Sequence, residues 1–451
     1  MNAEKKSGNL VAIITMFFLF AMISFVTNLA APIGVIWKNQ PAFEGSNFLG
    51  MLGNMMNFLA YLFMGIPAGK LLSKIGYKKT ALVAIAVGFL GVLTQYLSGI
   101  IGVGAELFSL PANFFVYLLG AFIAGFSVCM LNTVVNPMLN LLGGGGNKGN
   151  QLIQIGATFN SLAATITPMF VGALIGDITK ERILSGEVTI NNVNPVLYIA
   201  LGVFALAFLI LLFIPIADPD ENRKKRSEIK YEHSPWNFRH FVLGSIAIFI
   251  YVGVEVGIPG TLNFFLADTT IKGASLDPQK AAAIAGFVAG TYWFLMLIGR
   301  FLGSLVGGKV SSKTMLTFVS ALGIALVLLA ILLPKDITTS MPVFTGSSFS
   351  MVQVPLIALF LVLCGLCTSI MWGSIFNLAV EGLGKYTAAA SGIFMMMVVG
   401  GGILPLLQNW IADISTYQAS YIVILVGLLY ILFYALIGSK NVNKDIPVEV
   451  E

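Results

Sequence analysis

The sequence predicts an all-α membrane protein whose twelve transmembrane helices form two pseudo-symmetric six-helix halves. Three observations carry this. The chain is 57% hydrophobic and only 10% charged, with a mean hydropathy of +0.91, whereas soluble domains carry roughly 25% charged residues. Its apolar stretches run about 20 residues or more, enough to cross a bilayer as helix, and they lack the alternation of a lipid-facing barrel strand. Finally, the stretch Cys129 to Pro168 recurs in altered form as Cys367 to Pro405. Each copy has an apolar segment, an Asn-Leu pair, a Gly-containing turn with a lysine and a second apolar segment ending at proline. The Asn140-to-Lys148 spacing equals the Asn377-to-Lys385 spacing, and the copies lie about half the chain apart, the pattern of internal repeats in transporters.

Taken in order, Met1–Gly8 is short and polar, and the apolar run Leu10–Trp37 is too long for a cleaved signal segment, so it is read as helix 1. Helices 2 to 6 are expected near Phe48–Ala68, Ala81–Gly102, Asn113–Leu142, Ile153–Ile175 and Val196–Ile216. The chain then turns polar and basic, with Arg223, Lys224, Lys225, Arg226, Lys230 and Arg239. This divides it into an N-terminal half (1–217), a linker (218–240) and a C-terminal half with a short tail (241–451). Helices 7 to 12 are expected near Phe241–Leu266, Ala281–Val306, Met315–Leu333, Val354–Val380, Ala388–Ile411 and Tyr421–Leu436.

Charge sets the orientation. Of the 25 lysines and arginines, all but Lys38, Lys180, Arg182, Lys272, Lys280 and Lys335 fall on one side when both termini are placed in the cytoplasm, as the positive-inside rule requires. The net charge of +5 is therefore a matter of membrane orientation and gives no reason to expect nucleic acid. Cys129, Cys364 and Cys367 lie in apolar segments without a second ligand set, so they read as buried free thiols, and no metal is expected. His233 and His240 read as solvated or interfacial, and Trp37, Trp236 and Trp410 as interfacial anchors.

The loops after helices 2 and 8 also correspond. Gly65 to Leu82 and Gly299 to Leu316 share a small-residue helix end, a tight turn and a Lys-Thr opening the next helix. The first contains Gly69, Lys74, Gly76 and Lys78 in a Gly-x-x-x-x-Lys-x-Gly-x-Lys pattern, and with two six-helix halves and a basic linker this resembles the major facilitator superfamily. That pattern normally has an acid where Ser73 stands. Further segments resemble the fucose/galactose/glucose:proton symporter family within it. They are Asn28 four residues before Pro32, Asn132-Thr-x-x-Asn136-Pro137, Thr158-Phe-Asn160-Ser, Tyr251-Val-Gly, Gly299-Arg300-Phe, Ser369-Ile-x-Trp372-x-x-Ile-Phe376 and Gly400-Gly-Gly-Ile403. The resemblance covers essentially the whole chain. It implies a bacterial inner-membrane carrier of a neutral sugar that works as a monomer by alternating access. No cofactor is expected beyond a coupling ion, H+ or Na+. The family pattern places protonatable acids on helices 1 and 4, and the matching positions here hold Asn28 and Asn132.

An ionisable residue at membrane depth costs about 2.5–3.5 kcal/mol on insertion scales and is kept where it faces a cavity or a partner. Glu255 is the one acid well inside an apolar segment, flanked by Gly253, Gly257 and Pro259 where helix 7 should bend. It is the candidate proton-coupling residue, against the alternative of a structural pairing with another helix. Sugar hydroxyls need groups that both donate and accept, plus aromatic faces for the ring. The binding candidates are accordingly Asn28, Asn132, Asn136 and Asn160 in the first half and Asn263, Trp293, Trp372, Asn377 and Gln408 in the second. Lys74, Lys78 and Arg300, near expected cytoplasmic helix ends, are gate candidates. A lone buried asparagine is otherwise helix-packing glue.

Other classes find little support. There is no intramembrane histidine cluster or Gly-x-Ser-x-Gly elbow for an enzyme, and Gly143–Gly146 lacks the rest of a phosphate loop. A repeated-half architecture argues for alternating access over an open channel. An uncoupled or sodium-coupled carrier of another small polar solute stays open at this point.

Overall fold

The computed structural model describes residues 2–143, 146–175, 182, 185, 189–214, 232–306, 310–344, 348–443 and 445–448. Of the central linker, 218–231 lie outside the described residues, as do the side chains of Asn140, Lys148 and Lys385.

Twelve spanning elements follow the expected order. They are α1 (Asn2–Asn28, continued as Ala30–Lys38), α2 (Asn47–Ile75), α3 (Tyr77–Leu97), α4 (Ala112–Leu142), α5 (Gly146–Ile175) and α6 (Asn194–Phe213). After the linker come α7 (Arg239–Ala267), α8 (Ala281–Val306), α9 (Ser312–Leu332), α10 (Leu356–Thr368 and Met371–Val380), α11 (Thr387–Met397 and Gly400–Ile414) and α12 (Ile422–Phe433). Helix starts have local causes. Ser46 accepts the Leu49 amide to open α2 and Ser311 the Thr314 amide to open α9, each satisfying one of the donors that a helix N-terminus leaves free.

Three helices are interrupted, α1 at Leu29, α10 at Ser369–Ile370 and α11 at Val398–Val399. Prolines inside helices free further backbone groups, because proline lacks the N–H that would bond the carbonyl four residues earlier. Pro405 thus leaves the Gly401 carbonyl without its helix donor, and Asn54 of α2 supplies one at 2.9 Å.

The halves meet along two seams, α2 against both segments of α11 and α5 against α8. Glycine is required where backbones touch. A Cβ on Gly290 of α8 would lie 2.6 Å from the Thr165 carbonyl oxygen of α5, and one on Gly402 of α11 would lie 3.0 Å from the Met55 carbonyl oxygen of α2. Bonding and dispersion at such contacts, more than apolar burial, hold helices together in lipid.

Several local expectations change. Two antiparallel hairpins supplement the helices: β1 (Glu106–Leu107) with β2 (Leu110–Pro111), and β3 (Thr338–Phe344) with β4 (Phe349–Pro355), the latter in the register Thr338↔Pro355. Trp37, expected at an interface, is 2% exposed and packs among Phe43, Phe114 and Tyr117. His240 is likewise fully buried, with Nε2 2.9 Å from the Glu381 carbonyl oxygen. Its own backbone carbonyl accepts from the Tyr434 hydroxyl.

Candidate functional site

A cavity of about 50 Å³ lies between the halves. From the first half it is lined by Thr27, Asn28, Ala31 and Pro32 of α1, Met51 and Asn54 of α2 and Pro168 of α5; from the second by Val256, Pro259, Gly260 and Asn263 of α7 and Ala289 and Trp293 of α8. Its polar lining is made of amides and one hydroxyl, with an indole on one wall and no charged side chain. Pro32 and Pro259 stand four residues after Asn28 and Glu255, so the helices are weakened at the two positions where chemistry is wanted. Asn28 donates to the Ser24 carbonyl and hydroxyl at 2.9 and 3.2 Å, which orients its amide on the α1 wall.

On the side of the cavity nearer the chain termini lies a charged layer. The Glu255 carboxylate sits 3.5 Å from Arg300 of α8, both side chains about one-sixth exposed. Arg300 also crosses to the other half, donating through Nη1 to the Ala157 carbonyl at 3.0 Å and the Ser161 hydroxyl at 2.6 Å, both on α5. The register places this layer directly beneath the cavity. Glu255 precedes the lining residue Pro259 by four positions, Ser161 precedes Pro168 by seven and Arg300 follows Trp293 by seven, and such spacings keep residues on one helix face.

The end of the cavity away from the termini is sealed by a polar cluster that no spacing in the sequence signals. Lys38, 2% exposed at the end of α1, donates to Asn47 Oδ1 at 2.8 Å and to the Tyr417 hydroxyl at 2.9 Å. Tyr417 stands close to Asp268 Oδ2 at 3.1 Å. The Asp413 carboxylate of α11 accepts from the Ser46 hydroxyl at 2.8 Å, the Asn47 amide N–H at 2.7 Å, the Asn47 side chain at 2.8 Å and the Phe48 amide N–H at 2.8 Å. An acid from one half thereby caps a helix of the other, where the exposed amides and helix dipole favour negative charge. The ammonium also lies 4.9 Å from the Phe264 ring centre.

Burial alone would push the Asp268 carboxyl up. The Lys38 ammonium and hydrogen bonds from Thr270 and Tyr417 outweigh that and hold it below its ordinary value. No comparable packing of α4 against α10 closes the terminal side among the described residues. The structure is therefore closed at the far end.

Of the residues singled out in the sequence, Asn28, Asn263 and Trp293 meet in the cavity lining. Asn132 of α4 donates to the Tyr61 hydroxyl at 2.8 Å, Asn136 to the Asn132 carbonyl at 3.0 Å and Asn160 to the Phe20 carbonyl at 3.1 Å. The amides of Asn132 and Asn160 thus bond to neighbouring helices and that of Asn136 to its own, and all three stand outside the lining. Trp372 packs on Tyr251 with ring centres 6.2 Å apart. Asn377 is exposed. Gln408 is fully buried where α11 faces Gly257 of α7, without a hydrogen-bond partner among the described residues. Lys78 donates to the Leu212 and Ile214 carbonyls at the end of α6, within its own half, and Lys74 is exposed. Arg300, expected near a cytoplasmic helix end, instead occupies the charged layer. Asn54, Lys38, Asn47, Asp268, Asp413 and Tyr417 were not singled out; for Asn54 a signal existed, an amide within the apolar run of α2.

The sequence profile of the Major Facilitator Superfamily matches residues 13–404. The chain belongs to that superfamily. It is 31% identical over 444 residues to a glucose/galactose transporter of Brucella abortus biovar 1 (strain 9-941), covering 98% of this chain and 96% of the relative. It is also 25% identical over 419 residues to the L-fucose-proton symporter of Escherichia coli (strain K12), covering 88% and 85%. Among solved structures it is similar to the E. coli fucose:proton symporter FucP, with a TM-score of 0.63 and 20% identity over 96% of this chain and 100% of that one. It is also similar to the inward-open E. coli xylose transporter XylE, with a TM-score of 0.67 and 11% identity over 97% of each. These two solved structures support the fold. The superfamily consists of multi-pass membrane carriers, and its members named here are transporters.

Proposed function

We propose that this chain is a secondary active carrier of a neutral hexose, deoxyhexose or amino sugar in a bacterial cytoplasmic membrane. It acts as a monomer with both termini inside, and Glu255 is its coupling acid. The observation that carries the reading is the uncharged cavity between the halves, with three asparagines and a tryptophan in its lining and a carboxylate–guanidinium pair beneath it. Amides match hydroxyls in both donor and acceptor roles, and an indole face matches the apolar face of a sugar ring. The names of the relatives, glucose/galactose transporter and L-fucose-proton symporter, support the same substrate class. With the termini in the cytoplasm, the far-end cluster is an outer seal, and the halves rock about the cavity to open it.

A symporter must carry its coupling group through a dry closed state, where a bare carboxylate has a desolvation penalty of several kcal/mol. Asn28 and Asn132 cannot take up a proton, which leaves Glu255 at membrane depth. The test is uptake of a labelled sugar panel into proteoliposomes with a pH gradient, a sodium gradient or neither. Glu255→Gln is expected to abolish uphill accumulation while exchange across the membrane stays measurable. Accumulation by the variant equal to the wild type would place coupling elsewhere. Wild-type uptake indifferent to both gradients would make the protein a facilitator.

A further inference from the structure

Arg300 does more than neutralise its neighbour. It belongs to the C-terminal half, yet among the described residues its hydrogen bonds go to the N-terminal half, to the Ala157 carbonyl at 3.0 Å and the Ser161 hydroxyl at 2.6 Å. Its contact with Glu255, within its own half, is the looser one at 3.5 Å. The guanidinium presents five donors in a fixed fork and stays charged at any physiological pH. It therefore needs acceptors whatever the state of the carboxylate. Ser161 is fully buried, and the α5–α8 seam around it is tight enough that Gly290 admits no Cβ.

We propose that Arg300 is a positioning residue through which the charge on Glu255 sets how firmly α8 is held to α5, a role that rests on reading Glu255 as the coupling acid. With the carboxyl ionised, the guanidinium is shared between Glu255 and the opposite half, and the pair is neutral overall. A proton taken from water onto the carboxyl removes the negative charge and leaves a cation. Its remaining strong acceptors are then the carbonyl and hydroxyl of α5. Loading and unloading a proton on one half thereby alters a bond between the halves, directly under the cavity.

The other titratable groups facing Glu255 are Tyr251, one turn earlier on α7, and Tyr292 of α8. Cys364 and Cys367 of α10 stand beside Tyr292. Phenols and thiols ordinarily titrate near 10 and 8.5, and burial in apolar surroundings disfavours their anions. Of these groups the carboxyl alone has an ordinary value below neutrality, so it is the one whose charge a proton taken up from neutral water cancels.

The test uses detergent-purified protein and needs no knowledge of the sugar. Arg300→Gln leaves a partly buried carboxylate without its cation, so the folded state should gain proton affinity and become more stable as pH falls. Its thermal midpoint is expected to rise by several degrees from pH 8 to pH 5.5 relative to the double variant Glu255→Gln/Arg300→Gln, which should show no such rise. The double variant should also melt above Arg300→Gln at pH 8, because removing both charges is milder than orphaning one.

In proteoliposomes, exchange of radiolabelled D-glucose, D-galactose or L-fucose by Arg300→Gln should fall at least tenfold at pH 8 and recover on acidification. Ser161→Ala, which removes the shorter of the two α5 contacts and leaves the Ala157 carbonyl, should shift the pH midpoint of exchange by half a unit or more, and it serves if Arg300→Gln does not fold. Identical pH profiles of stability for the single and double Arg300 variants would overturn the proposal, as would an unshifted midpoint in Ser161→Ala. Failure of Glu255→Gln to abolish accumulation would instead count against the coupling reading, since the melting experiment reports on the pair alone.

Discussion

Replacing Asp413 with alanine should open the far end of the cavity. The carboxylate accepts four hydrogen bonds from Ser46, Asn47 and Phe48, and all are lost when α11 parts from α2. A hydrogen bond to a charged group contributes about 1.5–3 kcal/mol and loss of a helix cap typically about 1 kcal/mol. The four share one carboxylate and are not additive, so about 3 kcal/mol is a fair figure for the closed state's loss, or on the order of a hundredfold in the equilibrium between closed and open. The gain saturates once the open state is the majority. The assay is alkylation by a membrane-impermeant maleimide, added from the far side, of a cysteine placed at Ala31, which lines the cavity below the seal. The three native cysteines are buried and should give little background. Asp413→Ala should speed labelling by one to two orders of magnitude. An unchanged rate in well-folded protein would show that the cluster is ornament on a seal made by packing alone.

Lys38→Met should accelerate the same labelling. It should also expose a pH dependence, because the Asp268 carboxyl is held below its ordinary value in part by that ammonium. In the wild type the stability contributed by Asp268 is fully present above the unfolded value of about 3.9 and is lost only as pH falls through the lower folded value. Melting should thus be insensitive to Asp268 from pH 8 to 5 in the wild type, whereas Lys38→Met, which removes a cation that lowers the folded value, should be destabilised at neutral pH and regain part of that loss relative to the wild type on acidification. Asn28→Ala and Asn263→Ala, at the cavity lining, should each weaken sugar binding by about 1–3 kcal/mol, the cost of leaving a partner unpaired; unchanged affinity in equilibrium binding would assign both to helix packing. Gly400→Ala should sharply reduce folded protein in size-exclusion chromatography, since its Cβ would lie 1.8 Å from the Phe249 carbonyl oxygen, whereas Gly392→Ala, with nothing within 4 Å, should be neutral.

The architecture was readable because bilayer thickness and backbone satisfaction leave few alternatives to apolar helices, and because the Cys129–Pro168 stretch recurs. Glu255 was readable for the same reason: an acid inside an apolar run is conspicuous. Its partner was not. Arg300 lies six positions from the end of an expected helix and resembles an interfacial cation. Which face of α8 meets α7 and α5 is decided by packing, which no local spacing records. The far-end seal was still less legible. Lys38 and Tyr417, or Asn47 and Asp413, come together from opposite ends of the chain, and each taken alone reads as ordinary interfacial polarity. The β3–β4 hairpin was missed because Pro342 and Pro355 interrupt what would otherwise be a strand pattern.

The two electrostatic devices differ in what can move them. At the far end the acids are acceptors to several donors at once, and Asp268 is held below the ordinary carboxylate value, so its charge persists into mild acid. The seal behaves as a constant spring, to be opened by competition for its donors or by strain from the rest of the carrier. Beneath the cavity, Glu255 has a single cationic partner among the described residues, at 3.5 Å, and that partner is divided with the opposite half. A proton there changes the distribution of one guanidinium between two helices of different halves. The dependence of transport on proton loading is therefore expected to follow Glu255 and Arg300, and to survive substitutions of Asp413 that change only the balance between closed and open.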